Sequence, residues 1–201
     1  MWAAALAGVA APLPLATQVG TTLTVDPAAS RVRVHLGRAG LRFLGHDHEL
    51  TVPLASGKLE IDETDPGLSR LALVFDAAQI AVVPGTEPAG DVDGVERRMR
   101  GDSVLDVKRF PTIRFQSATV AVEPAGGAGA YRVRVRGTLE IKDQRVPLEL
   151  PVSVQRDARG LTATGEAWLE LRALGIEPPS VAGVVKVANR FRLAFEIRAH
   201  A

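Results

Sequence analysis

Beyond Asp26, apolar residues recur at every second position through most of the chain, and no other feature restricts its fold as strongly. Side chains alternate faces along a strand, whereas a helix repeats every 3.6 residues, so this spacing builds half-buried β-strands. In RVRVHL, Val32, Val34 and Leu36 share one face, and Arg31, Arg33 and His35 share the other. YRVRVRGTLEI sets Tyr131, Val133, Val135, Gly137, Leu139 and Ile141 against Arg132, Arg134, Arg136, Thr138 and Glu140. VPLELPVSV aligns Val146, Leu148, Leu150, Val152 and Val154, and VVKVANRFRLAFEIRA aligns Val185, Val187, Phe191, Leu193, Phe195 and Ile197.

GKLEID, RLALVFDAAQIAV, TIRFQSATVAV and LTATGEAWLEL add further strands, giving about eight at hairpin-like spacing. Turn chemistry separates them: DETDPG at 62–67, EPAGGAGA at 123–130 and KDQ at 142–144, with a longer connection, VPGTEPAGDVDG, at 83–94. One stretch reads as helical, Val95 to Asp106, and Gly101 limits it to a turn or two. The chain is therefore all-β. Short loops and strands with one apolar face suit an antiparallel sheet, and closing it into a barrel hides both that face and the sheet edges.

A chain of 201 residues, 46% of them hydrophobic, is long enough for one sizeable core. With 24 basic and 23 acidic residues, no overall field draws it to nucleic acid or an anionic membrane. The absence of cysteine excludes disulfides, thiolate metal sites and a cysteine nucleophile. The apolar opening MWAAALAGVAAPLPLA, with small-residue cleavage options after Ala11 or Ala16, has the composition of a secretory signal peptide. It lacks the positive start of that class, since the first basic residue is Arg31, and a disordered tail is the alternative. The expected division is a signal peptide or disordered segment over 1–20 and a barrel over 21–201, in a periplasmic or secreted protein.

FLGHDHEL holds two of the four histidines. If HDHELTVPL is one strand, His46 and His48 face the apolar side with Leu50, Val52 and Leu54, while Asp47 and Glu49 face away. A zinc site needs a third protein ligand, and none is evident nearby. A metal-binding protein using this pair is the rival reading. The alternative places a histidine as a polar end-group at one mouth of the barrel, suited to bond a quinone carbonyl or a prenyl headgroup. No nucleophile elbow, phosphate-cradling loop or metalloprotease helix is present, so no catalytic residue and no cofactor is expected. The arginine-rich faces carry no stacking aromatics, which argues against nucleic acid; an outward basic patch does suit transient contact with a bilayer surface.

Several stretches together resemble the YceI-like family of exported, lipocalin-like barrels that bind polyisoprenoid lipids. They are VDPAASRVRVHLGRAG, LALVFDAAQIAV, DSVLDVKRFPTIRFQSATV, VRGTLEIKDQRVPLELPV and LELRALGI, with His35, Phe110, Pro111, Phe115, Ser117, Val146, Pro147, Arg172 and Gly175 at matching positions. Two segments depart from the family pattern: LRFLGHDHEL replaces its Gly-x-Phe strand, and RMRGDSVLD its histidine-leucine and aromatic pairs. The resemblance implies a single antiparallel eight-stranded lipocalin-like barrel with one short helix. Its implied work is holding an apolar isoprenoid-type ligand, a polyprenyl lipid or quinone, for sequestration or transport. An eight-stranded barrel either fills with its own side chains, as an interaction module would, or holds one small ligand. The expected ligand-binding set is Val32, Val34, His46, His48, Leu50, Val52, Phe75, Phe115, Val133, Val135, Leu148, Leu150, Phe191, Leu193 and Phe195.

Overall fold

The computed structural model describes residues 20–40, 47–181 and 185–201. The expected leader over 1–20 falls on residues outside this set, except Gly20. The described strands are β1 (Gly20–Val25), β2 (Arg31–Gly40), β3 (His48–Thr51), β4 (Leu54–Asp62), β5 (Arg70–Asp76), β6 (Ala81–Val82), β7 (Thr112–Pro124), β8 (Ala130–Ile141), β9 (Gln144–Asp157), β10 (Gly160–Glu170), β11 (Ser180–Val181) and β12 (Val185–His200). A single α-helix among them, α1, spans Val92–Arg100.

Eight strands close a ring in the order β1, β4, β5, β7, β8, β9, β10, β12 and back to β1. All pairings are antiparallel, so the ring is the expected eight-stranded barrel. β2 and β3 extend the walls begun by β1 and β4. β12 pairs with β10 along one edge; along its other edge it meets β1 at Val25 and Ala199, then β2 from Glu196 and Arg31 onward. The break between β1 and β2 is built by Asp26, whose carboxylate accepts from the amides of Ala28 (2.9 Å) and Ala29 (3.0 Å). Such Asx geometry offers the backbone an alternative to the ladder.

Three elements differ from the sequence expectation. RLALVFDAAQIAV is not one strand, because the Asp76 carboxylate accepts from the amides of Ala78 and Gln79 and turns the chain after β5. The remainder, β6, pairs with β3 instead. HDHELTVPL is likewise interrupted: β3 stops at Thr51 and β4 starts at Leu54, around Pro53, which has no amide to donate. The helix begins three residues earlier than Val95 and stops at Arg100, where Gly101 turns extended.

Strand parity holds along β8 and β9. The inward positions of β8 and β9 are buried or half-buried, and Arg132, Arg134 and Arg136 are exposed. Two inward glycines seat aromatic rings. A Cβ at Gly137 would lie 2.6 Å from the Phe115 ring, and one at Gly165 would lie 2.5 Å from the Phe195 ring. Both rings can therefore lie against the wall rather than across the interior.

Candidate functional site

The barrel interior divides along its axis. One end is filled: Leu50, Leu54, Ile80, Val82, Met99, Leu105, Ile113, Ile141, Leu171, Leu174, Ile176 and Phe191 are all buried and none borders the cavity. Met99 comes from α1 and Leu105 from the loop after it, so the excursion between β6 and β7 caps this end. Toward the other end lies a cavity of about 370 Å³. That volume falls within the ~300–1,000 Å³ usual for small-molecule sites.

Of the residues expected to line a lumen, Val32, Phe75, Phe115, Val133, Val135, Leu148, Leu150, Leu193 and Phe195 do border the cavity. Val34, Leu50, Val52 and Phe191 face inward and pack into the core but do not border the cavity. Alternation fixes which face a residue takes, not its place along the axis: Leu50 and Phe191 are buried in the filled part, and Val34, cross-strand partner of the cavity-bordering Leu193, stands at its boundary. His48 is also absent from the cavity wall. His46 lies outside the described residues.

His48 instead bonds through Nδ1 to an Oε of Glu87, whose side chain is wholly buried. Glu87 belongs to the long connection read as a loop, 39 positions from His48. Nothing local in the sequence announces that partnership. Glu49, on the outer face of β3, lies 2.6 Å from Arg33 and 3.8 Å from His35. Among the described residues, no group of three histidine, aspartate or glutamate side chains is placed to hold a metal ion.

The cavity wall is aliphatic and aromatic except at its rim, where Asp62, Glu63, Ser69, Tyr131 and Arg156 gather. Tyr131 belongs to the inward series of β8 already counted in the sequence; the other four were not anticipated, yet two of them were readable. Glu63 is the next inward position after Leu59 and Ile61, and Arg156 follows Val152 and Val154 in the inward series of β9. β4, which Glu63 directly follows, and β9 stand four apart either way round the ring, and the two side chains meet across its open end. Arg156 donates to both Glu63 oxygens, at 2.7 and 3.1 Å, and Thr21 Oγ1 donates to the same carboxylate at 2.9 Å. Arg156 first, and Thr21 second, hold the Glu63 carboxyl below the usual glutamate range; Glu63 in turn raises Arg156.

The loop carrying Glu63 is held by its own acids. Asp62 accepts from the amides of Thr64 and Asp65, and Asp65 accepts from that of Gly67. Pro66 and Ser69 from this loop also border the cavity. The arrangement has the means to enclose an apolar body and meet a polar head at one end.

Solved structures share this architecture. Burkholderia cenocepacia BcnA aligns at TM-score 0.64 and 21% identity, covering 87% of this chain and 98% of its own. A polyisoprenoid binding domain from Saccharophagus degradans, implicated in plant cell wall breakdown, aligns at 0.61 and 16%, covering 89% and 98%. The Campylobacter jejuni YceI protein aligns at 0.51 and 12%, covering 98% and 93%. At these identities the likeness is one of fold. No curated protein matches the sequence. The sequence pattern of the YceI-like domain matches residues 23–199, which is nearly all of the barrel, and the chain thus belongs to the YceI-like family.

Proposed function

We propose that the chain is an exported lipid-binding protein, periplasmic or secreted, that holds an apolar isoprenoid-type molecule such as a polyprenyl lipid or quinone for sequestration or transport. The cavity carries this reading: a barrel whose interior is hollow over one half and walled by Val, Leu, Ile and Phe suits a hydrocarbon guest. Burying on the order of 300 Å² of isoprenoid surface there yields roughly 7–8 kcal/mol before association costs. Membership of the YceI-like family, and the fold shared with a domain that binds polyisoprenoid, support the same ligand class. Export rests on the composition of the first sixteen residues. The work is capture and release, without bond making, and transient contact with a bilayer surface is its natural source of cargo.

The test is native mass spectrometry of protein purified gently from its own host, followed by uptake of a prenyl alcohol by the emptied protein. A co-purifying hydrocarbon-rich molecule, and uptake lost when Leu150→Trp fills the cavity, are expected. Repeated isolation of the empty chain, with no uptake, overturns the reading in favour of an interaction module.

A further inference from the structure

The charges at the cavity mouth are already spent on one another. Arg156 meets both oxygens of Glu63 in the two-pronged geometry that a guanidinium also uses for phosphate. The Glu63 carboxylate therefore stands where an anionic headgroup would bind, and Thr21 fixes it there with a third bond. The bridge crosses the ring from β4 to β9, so a guest's polar end comes to rest beside it.

Charge counting at the rim gives the consequence. Among the cavity-lining residues the charge of Glu63 cancels that of Arg156, and the other charged one, Asp62, whose carboxylate accepts from the amides of Thr64 and Asp65, leaves no second cation for an anionic head. An anionic head reaches Arg156 only by displacing Glu63, which leaves that carboxylate beside the incoming anion. Like charges at close quarters discriminate against the wrong ligand even where each exposed pair contributes little to folding. An uncharged alcohol or carbonyl head meets no such repulsion. It finds the Tyr131 phenol on the same part of the wall, a group that both donates and accepts.

Building on the lipid-binding reading, we propose that Glu63 and Arg156 make the mouth selective for uncharged headgroups, with Glu63 acting as a built-in competitor against phosphorylated or carboxylate ones. Arg156 is thus withheld from ligand anions by a neighbour in its own chain. The cargo class that follows is a neutral isoprenoid amphiphile, an alcohol or quinone rather than a diphosphate.

Farnesol and farnesyl diphosphate share one tail and differ in the head, so equilibrium dialysis of each against the emptied full chain isolates the effect. The wild-type protein is expected to hold farnesol about tenfold more tightly, a difference of ~1.4 kcal/mol. Glu63→Gln removes the competing charge, and the ratio is expected to close to within about threefold through stronger diphosphate binding. Thr21→Val, which only loosens Glu63, moves the ratio the same way by less, and Arg156→Gln added to Glu63→Gln removes the gain. Equal or tighter diphosphate binding by the wild type overturns the proposal, as does a ratio unmoved by Glu63→Gln in a protein that still melts cooperatively. Failure of the wild type to bind either compound is a different outcome, which overturns the lipid-binding reading itself and this inference with it.

Discussion

The two ends of this barrel share most of their wall strands, with β2 and β3 continuing β1 and β4 toward the α1 end, and have opposite interiors. At the α1 end, the excursion between β6 and β7 delivers Met99, Val104 and Leu105 onto the strand ends, and the 172–176 turn adds Leu174 and Ile176. At the other end the connections are the 62–69 loop, the 124–130 loop and the tight turn at Asp157–Gly160, whose Asp157 carboxylate accepts from the amides of Arg159 and Gly160. Turns of that kind close a hairpin without supplying side chains to fill a lumen. Strand chemistry makes the wall, and the connections decide which part of it is hollow.

Truncating one apolar side chain at each end should break the symmetry most strongly. Phe191, 4% exposed in the filled half, should cost about 3–5 kcal/mol as Phe191→Ala, because its neighbours cannot close the void. Leu148 already faces the cavity, so Leu148→Ala forfeits little packing and should cost about 1 kcal/mol. Urea midpoints of the two variants check the contrast, and equal losses would deny that the ends differ. Next in size is the buried Glu87, where Glu87→Gln removes the charge facing His48 and should cost ~1–3 kcal/mol in thermal or urea unfolding.

The mouth bridge should matter least to stability, since Glu63 and Arg156 are each about one-third exposed. Arg156→Gln should cost under about 1 kcal/mol near neutral pH. The direction with pH follows from the lowered carboxyl of Glu63. A depressed carboxylate stabilises the fold above its ordinary value, and that stability is lost as pH falls through the depressed one. The difference between wild type and Arg156→Gln should therefore persist through mildly acidic solution and vanish in stronger acid. Urea midpoints measured down the pH scale test this.

Much of the barrel was legible because alternation is a local property. The positions of Val133, Val135, Leu148, Leu150, Leu193 and Phe195 on the cavity wall follow from counting by twos along three strands. Position along the axis is not local, which is why Leu50, Val52 and Phe191 face inward without bordering the cavity, and Val34 stops short of it beside Leu193. The same counting, carried one step past the last apolar residue, leads to Glu63 and Arg156 at the rim. His48 and Glu87 lay beyond its reach: their bond depends on how a 39-residue separation folds back, and neither flanking pattern encodes that.

The seam beside β12 fixes when a lumen can first exist. Arg198 and Ser30, joined by an amide-to-hydroxyl bond of 3.1 Å, are 168 positions apart, so closing the ring brings together walls from opposite ends of the chain. Contacts that distant slow folding, and until they form both lips of the sheet stay exposed to other chains. The hollow is therefore a late product of folding: a chain still emerging from the ribosome, its last strand not yet made, has no enclosed interior.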